Sequence, residues 1–238
     1  MVMYGENVPV HKKFVQYGML KTELDEYLEK ELDRAGYGGM RLQRVPNATK
    51  IIAYVERPAI AIGRRGRNIR RIEEEVQEKF PLLGRVTIEV KEIPVPELNP
   101  RVVARRLASA IERGVHFRRA AYGALRRIMN AGAKGALIKL SGKLIGARAR
   151  TEKFMDGVVK YCGEPGDEYM IEGYVQAITK PGAIGVTVKI MPPDVELPDE
   201  IEVKPPEEVE DKLKELVGEK AEEESEEEKP EESEEGEE

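Results

Sequence analysis

Residues 59–72 read AIAIGRRGRNIRRI, and this stretch decides the fold. An apolar segment leads into a loop closed by Gly63 and Gly66, and a run with apolar residues at helical spacing follows. The two glycines allow a polymer backbone to approach closely, because they lack a Cβ. Helix N-termini also favour anions. The pattern predicts a helix–loop–helix that binds a nucleic-acid backbone through Gly63, Arg64, Arg65, Gly66, Arg67, Asn68, Arg70 and Arg71.

Glycines at this spacing do not decide the matter alone, because any helix–turn–helix with two glycines produces them. Gly36 and Gly39 form a second such pair in the same chain. The alternative is a plain glycine turn whose arginines are solvated. The apolar segment before Gly63 and the five arginines within and just after the loop favour the binding loop.

The segments around this loop predict an α/β unit. Apolar periodicity, turn residues and alternation predict a helix over 20–35, strands over 40–45 and 50–56, a short helix from Pro58, a helix over 67–80 and a strand over 85–91. The order helix, strand, strand, helix, glycine loop, helix, strand resembles the second type of KH fold. We therefore expect a three-stranded sheet with its helices on one face.

A second, smaller unit follows a linker marked by Pro94, Pro96 and Pro100. Its predicted elements are a helix over 100–113 that Asn99 can cap, a helix over 117–131, a strand over 136–141 and a hairpin over 171–190. Together they suggest an α+β domain of two helices and a mixed sheet. The predicted organisation is an N-terminal extension over 1–16, a type II KH domain over 17–94, the second domain over 95–193 and an acidic tail over 194–238.

Charge is unevenly distributed along the chain. The formal net charge is −6, but residues 1–193 carry 34 Lys and Arg against 22 Asp and Glu, whereas residues 194–238 carry 5 against 23. A basic body points to a polyanion partner, most commonly nucleic acid. From Glu219 onward the tail is mostly Glu with Ser, Lys and Pro and has almost no apolar residue after Ala221. It cannot bury enough surface to fold, and the tail is predicted to be mostly disordered. It is either a solubilising extension, which we favour, or an RNA mimic that screens the basic body.

The helix predicted over 117–131 has a segregated basic face. A step of 100° per residue places Phe117, Ala121 and Leu125 on one side. The opposite side carries Arg118, Arg119, Tyr122 and Arg126. Two guanidiniums flanking an aromatic ring suit phosphate contacts and base stacking. The alternative is an ordinary solvated helix face.

A second basic cluster occupies the segment after the strand over 136–141. It contains Lys143, Arg148, Arg150 and Lys153 among glycines. The spacing lacks the Gly-Lys-Ser/Thr of a nucleotide-binding P-loop. Contacts that follow an RNA backbone fit the cluster better.

Little in the sequence suggests chemistry. Cys162 is the only cysteine, and the two histidines, His11 and His116, are more than a hundred residues apart, which makes a poor metal or nucleophile set. No paired carboxylates suggest acid–base work. We predict no catalysis, no metal and no cofactor. Without a signal sequence or an apolar run of spanning length, we expect no membrane association and a cytoplasmic location.

Five motifs carry a resemblance to a known family. They are Tyr37-Gly38-Gly39-Met40, residues 62–69, Phe117-Arg118-Arg119-Ala120, residues 131–136 and Ser141-Gly142-Lys143-Leu144. In this order they closely resemble the universal third protein of the small ribosomal subunit, over about residues 12–192. The short loop between Leu144 and Thr151 is similar to that of its archaeal and eukaryotic branch, and we expect an archaeal member.

The resemblance implies a non-catalytic ribonucleoprotein component in the head of the small subunit. Such a protein binds small-subunit rRNA, contacts neighbouring head proteins and lines the channel by which mRNA enters during translation. Arg118 and Arg119 match the family's arginine pair at that opening, and Arg148 and Arg150 match basic residues near it. Tyr122 stands where bacterial members carry a lysine. Two alternatives remain, a free KH-type RNA-binding regulator or chaperone and an enzyme acting on nucleic acid.

Overall fold

The first helix, α1 (Val10–Glu31), begins ten residues earlier than the apolar periodicity predicted. Only its second half faces a core, through Leu20, Leu24 and Leu28. The first half carries Val10 and Phe14 in exposed positions, so no buried stripe marks it in the sequence.

This computed structural model describes residues 9–45, 48–81 and 84–197. The predicted acidic tail, after its first four residues, lies outside them.

The predicted three-stranded sheet is confirmed. Its strands are β1 (Tyr37–Val45), β2 (Ala48–Val55) and β3 (Val86–Glu92). The first two pair antiparallel, and β2 pairs in parallel with β3. A parallel pair needs a long crossover connection, usually helical. The glycine loop lies within that crossover, between α2 (Pro58–Ile62) and α3 (Arg67–Lys79).

The helices cover one face of this sheet, as predicted. Alternate residues of β2, which are Ile51, Ala53 and Val55, pack in one buried cluster with side chains from all three helices. Ala61 anchors α2 in that cluster, and Ile72 anchors α3. The loop is therefore held at both ends by buried apolar contacts.

The second sheet belongs to an α+β unit, as expected. Its helices are α4 (Pro100–Glu112), α5 (Phe117–Asn130) and the short α6 (Glu164–Glu168). Its strands are β4 (Gly135–Gly142), β5 (Arg150–Gly157), β6 (Ile171–Thr179) and β7 (Gly182–Met191), in the spatial order β5-β4-β7-β6.

Every neighbouring pair in this sheet is antiparallel, so the prediction of a mixed sheet was wrong in that respect. The sequence pattern predicts no strand at the position of β5. Phe154 is the one buried side chain of this edge strand, and a single buried residue produces no visible alternation. We call residues 10–92 the first module and residues 100–191 the second module.

Polar contacts join the two modules within one compact unit that extends to Val195. Asn99 caps α4 as predicted, because its Oδ1 accepts from the backbone N–H of Arg101 at 3.1 Å. Its Nδ2 donates to the carbonyl of Gly38 on β1 at 3.2 Å. The guanidinium of Arg101 pairs with Asp25 at 2.8 Å. The start of α4 is thus bonded to the first module from two sides.

Candidate nucleic-acid interface

The glycine loop has an unusual backbone. Gly63 and Gly66 have φ angles of +70° and +73°, and Arg65 between them has φ +56°. Among the described residues Arg65 is the only non-glycine with positive φ, and such a conformation in a non-glycine residue is uncommon. Strained positions of this kind concentrate at functional sites. The loop presents its basic side chains from a tight turn that surrounding structure enforces.

Asn68 holds the loop in shape. Its Nδ2 donates to the carbonyl of Ala61 at 3.0 Å, which ties the start of α3 to α2. A Cβ on Gly63 would lie 2.9 Å from the Cβ of Asn68, so Gly63 is required by close approach as well as by φ. Of the residues expected to bind RNA, Asn68 therefore has its side-chain amide engaged by the protein.

The five arginines of the loop fall into two groups. Arg64, Arg65, Arg67 and Arg70 are exposed and make no ion pair with any described residue. Arg71 pairs with Glu31 at 2.5 Å and with Glu75 at 3.7 Å. A hydrogen bond from Tyr27 holds the pKa of Glu75 below its usual range, so this carboxylate stays charged beside Arg71. The loop therefore presents four arginines without an ion-pair partner among the described residues, and a fifth arginine that the protein itself neutralises.

The face predicted on α5 is present. Arg118, Arg119, Tyr122 and Arg126 are exposed. Phe117, Ala121, Ala124, Leu125 and Ile128 are buried on the opposite side. The Tyr122 ring meets Phe154 edge to face, with ring centroids 5.2 Å apart, yet Tyr122 stays 58% exposed. The ring is oriented by the core while much of it remains accessible.

One carboxylate joins this face to the second predicted cluster. Glu152 on β5 contacts Arg118 at 3.5 Å and Arg150 at 2.6 Å. Both guanidinium carbons lie 5.8 Å from the centre of the Phe117 ring. Arg119 and Arg126 make no ion pair within the described ranges. We call Arg118, Arg119, Tyr122, Arg126 and Arg150 the α5 patch.

The rest of the second cluster does not join the α5 patch as one surface. Lys143 and Arg148 are exposed in the connection between β4 and β5. Strand residues alternate between the two faces of a sheet, so Lys153 lies opposite Glu152 and Phe154, away from α5. There it pairs in register with Lys139 of β4, a lysine that the sequence interpretation did not single out. Lysines on two strands at matching positions are invisible until the register is known.

Within the described ranges, no group of three or more His, Cys, Asp or Glu side chains is arranged to hold a metal ion. No described helix has the length and apolarity to cross a membrane. His116 lies against Phe117, with ring centroids 4.7 Å apart.

Comparison with known proteins decides the family. A family model described as a KH domain matches residues 23–98, and one described as the C-terminal domain of ribosomal protein S3 matches residues 107–190. Small ribosomal subunit protein uS3 of Methanopyrus kandleri is 91% identical over 205 residues, covering 86% of this chain and 90% of that protein. The chain belongs to the uS3 family of small ribosomal subunit proteins.

Other archaeal uS3 proteins are more distant but match the same body. The protein of Methanothermobacter thermautotrophicus is 51% identical over 80% of this chain and 74% of its own length. That of Methanocaldococcus jannaschii is 50% identical over 82% of this chain and 93% of its own length. The expected family and its archaeal type are confirmed. The uS3 family is a structural, non-enzymatic component of ribosomes.

Both basic surfaces lie inside the matched regions. The glycine loop falls within the KH match and the α5 patch within the uS3 C-terminal match. The structure also groups arginines that sequence analysis left apart, along α4 and at the ends of α1 and β2. The helical spacing of Arg105, Ser109 and Arg113 was a signal for part of that group.

Proposed function

We propose that this chain is a structural constituent of the small-subunit head that binds rRNA and lines the channel by which mRNA enters. The observation that carries this proposal is the α5 patch, where arginines from a helix and a strand meet around one carboxylate. Family membership supports a ribosomal role, and the positive charge of residues 1–193 suits a phosphate-rich neighbour. The protein would then be found in the cytoplasm, assembled with other head proteins.

The α5 patch would act on mRNA through phosphates. Exposed ion pairs contribute only about 0–1 kcal/mol, so Arg118, whose side chain is 56% exposed, can exchange Glu152 for a phosphate at little cost. Arg119 and Arg126 offer further guanidinium forks, which bind phosphate oxygens in pairs. Contacts of this kind read little sequence. The patch would hold an incoming message single-stranded, with Tyr122 available to stack on a base.

The glycine loop would bind an RNA backbone, from either rRNA or mRNA. The absence of side chains at Gly63 and Gly66, together with the free charges of Arg64 and Arg65, supports this assignment. The substitutions Arg64→Asp with Arg65→Asp should remove RNA crosslinks from residues 63–71. Unchanged crosslinks would show that the loop is only a solvated turn.

We also propose that the KH domain spans 17–94 and the second domain 95–193.

Sedimentation tests the ribosomal role directly. The tagged chain, expressed in an archaeal host, should cofractionate with small subunits in sucrose gradients at moderate salt. A free KH-type regulator or RNA chaperone would remain near the top of the gradient or follow messages of all sizes. Recovery mainly outside the small-subunit peak would contradict the proposal.

A further inference from the structure

A cleft of about 690 Å³ opens between the two modules, apart from the glycine loop and the α5 patch. Its walls come from the turn after α1, the end of β2, the outer side of α4, and α5. Six arginines line it, namely Arg34, Arg57, Arg105, Arg106, Arg113 and Arg127. Of the residues that the structure describes, only two carboxylates, Asp33 and Glu56, share the lining. The cleft therefore carries an excess of positive charge.

The floor of the cleft is neutralised by the protein itself. Arg105 pairs with Asp33. Arg106 bonds to Glu56 at 3.0 Å and to Glu97 at 2.8 Å. These side chains are about one third exposed or less, and cations at that depth need carboxylate partners. The pairs with Asp33 and Glu56 connect α4 to the first module and fix its position.

The rim of the cleft is different, because its cations are exposed. Arg34, Arg113 and Arg127 make no ion pair with a residue that the structure describes. Among the described carboxylates Arg57 forms an ion pair only with Glu56, at 3.4 Å, and Arg106 already binds that carboxylate. Like charges gathered around one opening repel each other, and a bound anion would remove that cost.

The backbone beneath these side chains is rigid. On α4, Val103, Leu107 and Ile111 are buried in the core of the second module. The opposite side therefore presents Arg105, Ser109 and Arg113 at successive turns into the cleft. No aromatic side chain lines the cleft among the described residues. These lining residues can therefore contact phosphates but cannot stack an aromatic ring on a base.

We infer that this cleft binds a further RNA segment by its sugar-phosphate backbone, separately from the glycine loop and the α5 patch. The inference rests on the proposed rRNA-binding function. Four rim guanidiniums spread over elements of both modules match the repeated phosphates of a strand better than they match one small anion. A strand that contacts Arg34 and Arg57 on one wall, and Arg113 and Arg127 on the other, would also hold the two modules in a single orientation.

Salt-dependent binding of the full-length chain to a small-subunit rRNA transcript tests the inference. The variant Arg34→Gln with Arg113→Gln removes one cation from each wall while leaving the floor pairs intact. Each lost phosphate contact lowers the slope of log affinity against log salt by about 0.7–0.9. We expect the slope of this variant to fall by about 1.5 relative to the unsubstituted chain.

The matched control is Arg41→Gln with Arg85→Gln, which removes two exposed arginines outside the cleft. We expect the slope of this control to stay closer to that of the unsubstituted chain than the slope of the cleft variant does. Urea unfolding of both variants should match the unsubstituted chain, since all four positions are exposed. Photocrosslinking with 4-thiouridine RNA should additionally place nucleotides on residues 105–113 in the unsubstituted chain and in the control, but not in the cleft variant.

The outcomes separate the two proposals. If the unsubstituted chain binds rRNA and the cleft variant keeps its slope and its crosslinks, the cleft is not an RNA site, and the proposed function stands. If the control loses as much slope as the cleft variant, binding is a diffuse charge effect and the cleft has no special part. If the unsubstituted chain fails to bind rRNA, both proposals are overturned.

Discussion

At the scale of single residues, the same side-chain type plays opposite parts in this chain. Arg105 and Arg106 are half-buried and paired, so they act on the fold. Arg119 and Arg126 are exposed without a carboxylate partner in the described ranges, so their charge is available to a ligand. Whether an arginine serves structure or binding here depends on what lies within about 4 Å of its guanidinium.

The arginine pair at the start of α5 makes the first prediction. Arg118→Ala with Arg119→Ala should slow translation through a stable mRNA hairpin by roughly fivefold, the effect of about 1 kcal/mol of lost phosphate contact. Translation of an unstructured message should change much less. Reconstituted translation with matched templates measures both rates.

Lys12→Ala with Lys13→Ala is the charge-matched control for this pair, because both lysines are exposed at the start of α1. This control should leave the translation rate on each of the two templates close to that of the unsubstituted chain. Equal slowing of both templates by the Arg118 and Arg119 variant would argue against a role in strand separation.

At the scale of elements, the seating of α4 on the second sheet depends on one glycine. A Cβ at Gly173 on β6 would lie 2.5 Å from the carbonyl carbon of Pro100 and 2.6 Å from the nitrogen of Arg101. These are backbone atoms, so the helix itself would have to shift. Gly173 thus positions the start of α4, which carries the floor and part of the rim of the cleft.

Gly173→Ala should therefore destabilise the fold by about 1–3 kcal/mol, the usual effect of overpacking. Gly123→Ala is the control, since Gly123 lies on α5 with open space around it. Alanine there should stabilise the helix by about 0.5–1 kcal/mol. Urea unfolding gives both values. Equal stabilities for the two variants would contradict the close approach of α4 to β6.

The contact between Glu97 and Arg106 predicts a dependence on pH. The hydrogen bond from Arg106 lowers the pKa of Glu97 in the folded protein below its ordinary value of 4.5. A depressed folded-state pKa means that this stabilisation is present above pH 4.5 and is lost as the pH falls through the lower folded-state value. Glu97→Gln should therefore flatten part of the acid-induced loss of stability.

Unfolding free energies measured between neutral pH and pH 3 test this linkage. Glu23→Gln is a suitable control, because Glu23 is exposed on α1 and makes no ion pair with a described residue. Its pH profile should follow that of the unsubstituted chain. Identical profiles for Glu97→Gln and the unsubstituted chain would show that the contact between Glu97 and Arg106 does not contribute to the pH dependence of stability.

At the scale of the whole molecule, a basic body is linked to a strongly acidic C-terminal segment. If that segment only keeps the protein soluble, deleting residues 219–238 should leave the salt dependence of rRNA binding unchanged. The binding of the full and the truncated chain should be compared above about 0.15 M salt, where the Debye length is about 8 Å and distant charges are screened. A truncated chain with tighter binding and a steeper slope would support the RNA-mimic alternative.

The local features of this protein follow from its sequence alone. The glycine loop, the buried stripe of α5 and the Asn99 cap each depend on residues within a few positions of one another, so helical and turn periodicities reveal them. The exposed first half of α1 and the edge strand β5 escaped prediction, because each lacks the buried repeat on which such patterns depend.

Only the tertiary structure decided which charges meet. Arg118 and Arg150 share Glu152, Lys153 lies on the other face of the sheet, and six arginines from distant segments line one cleft. The physical reason is that strand register and helix packing bring together residues far apart in the chain, and no local period encodes those distances. The sequence thus determined that the body is basic and where its loop and helices lie, while the packing of the two modules decided which arginines are neutralised and which stay free.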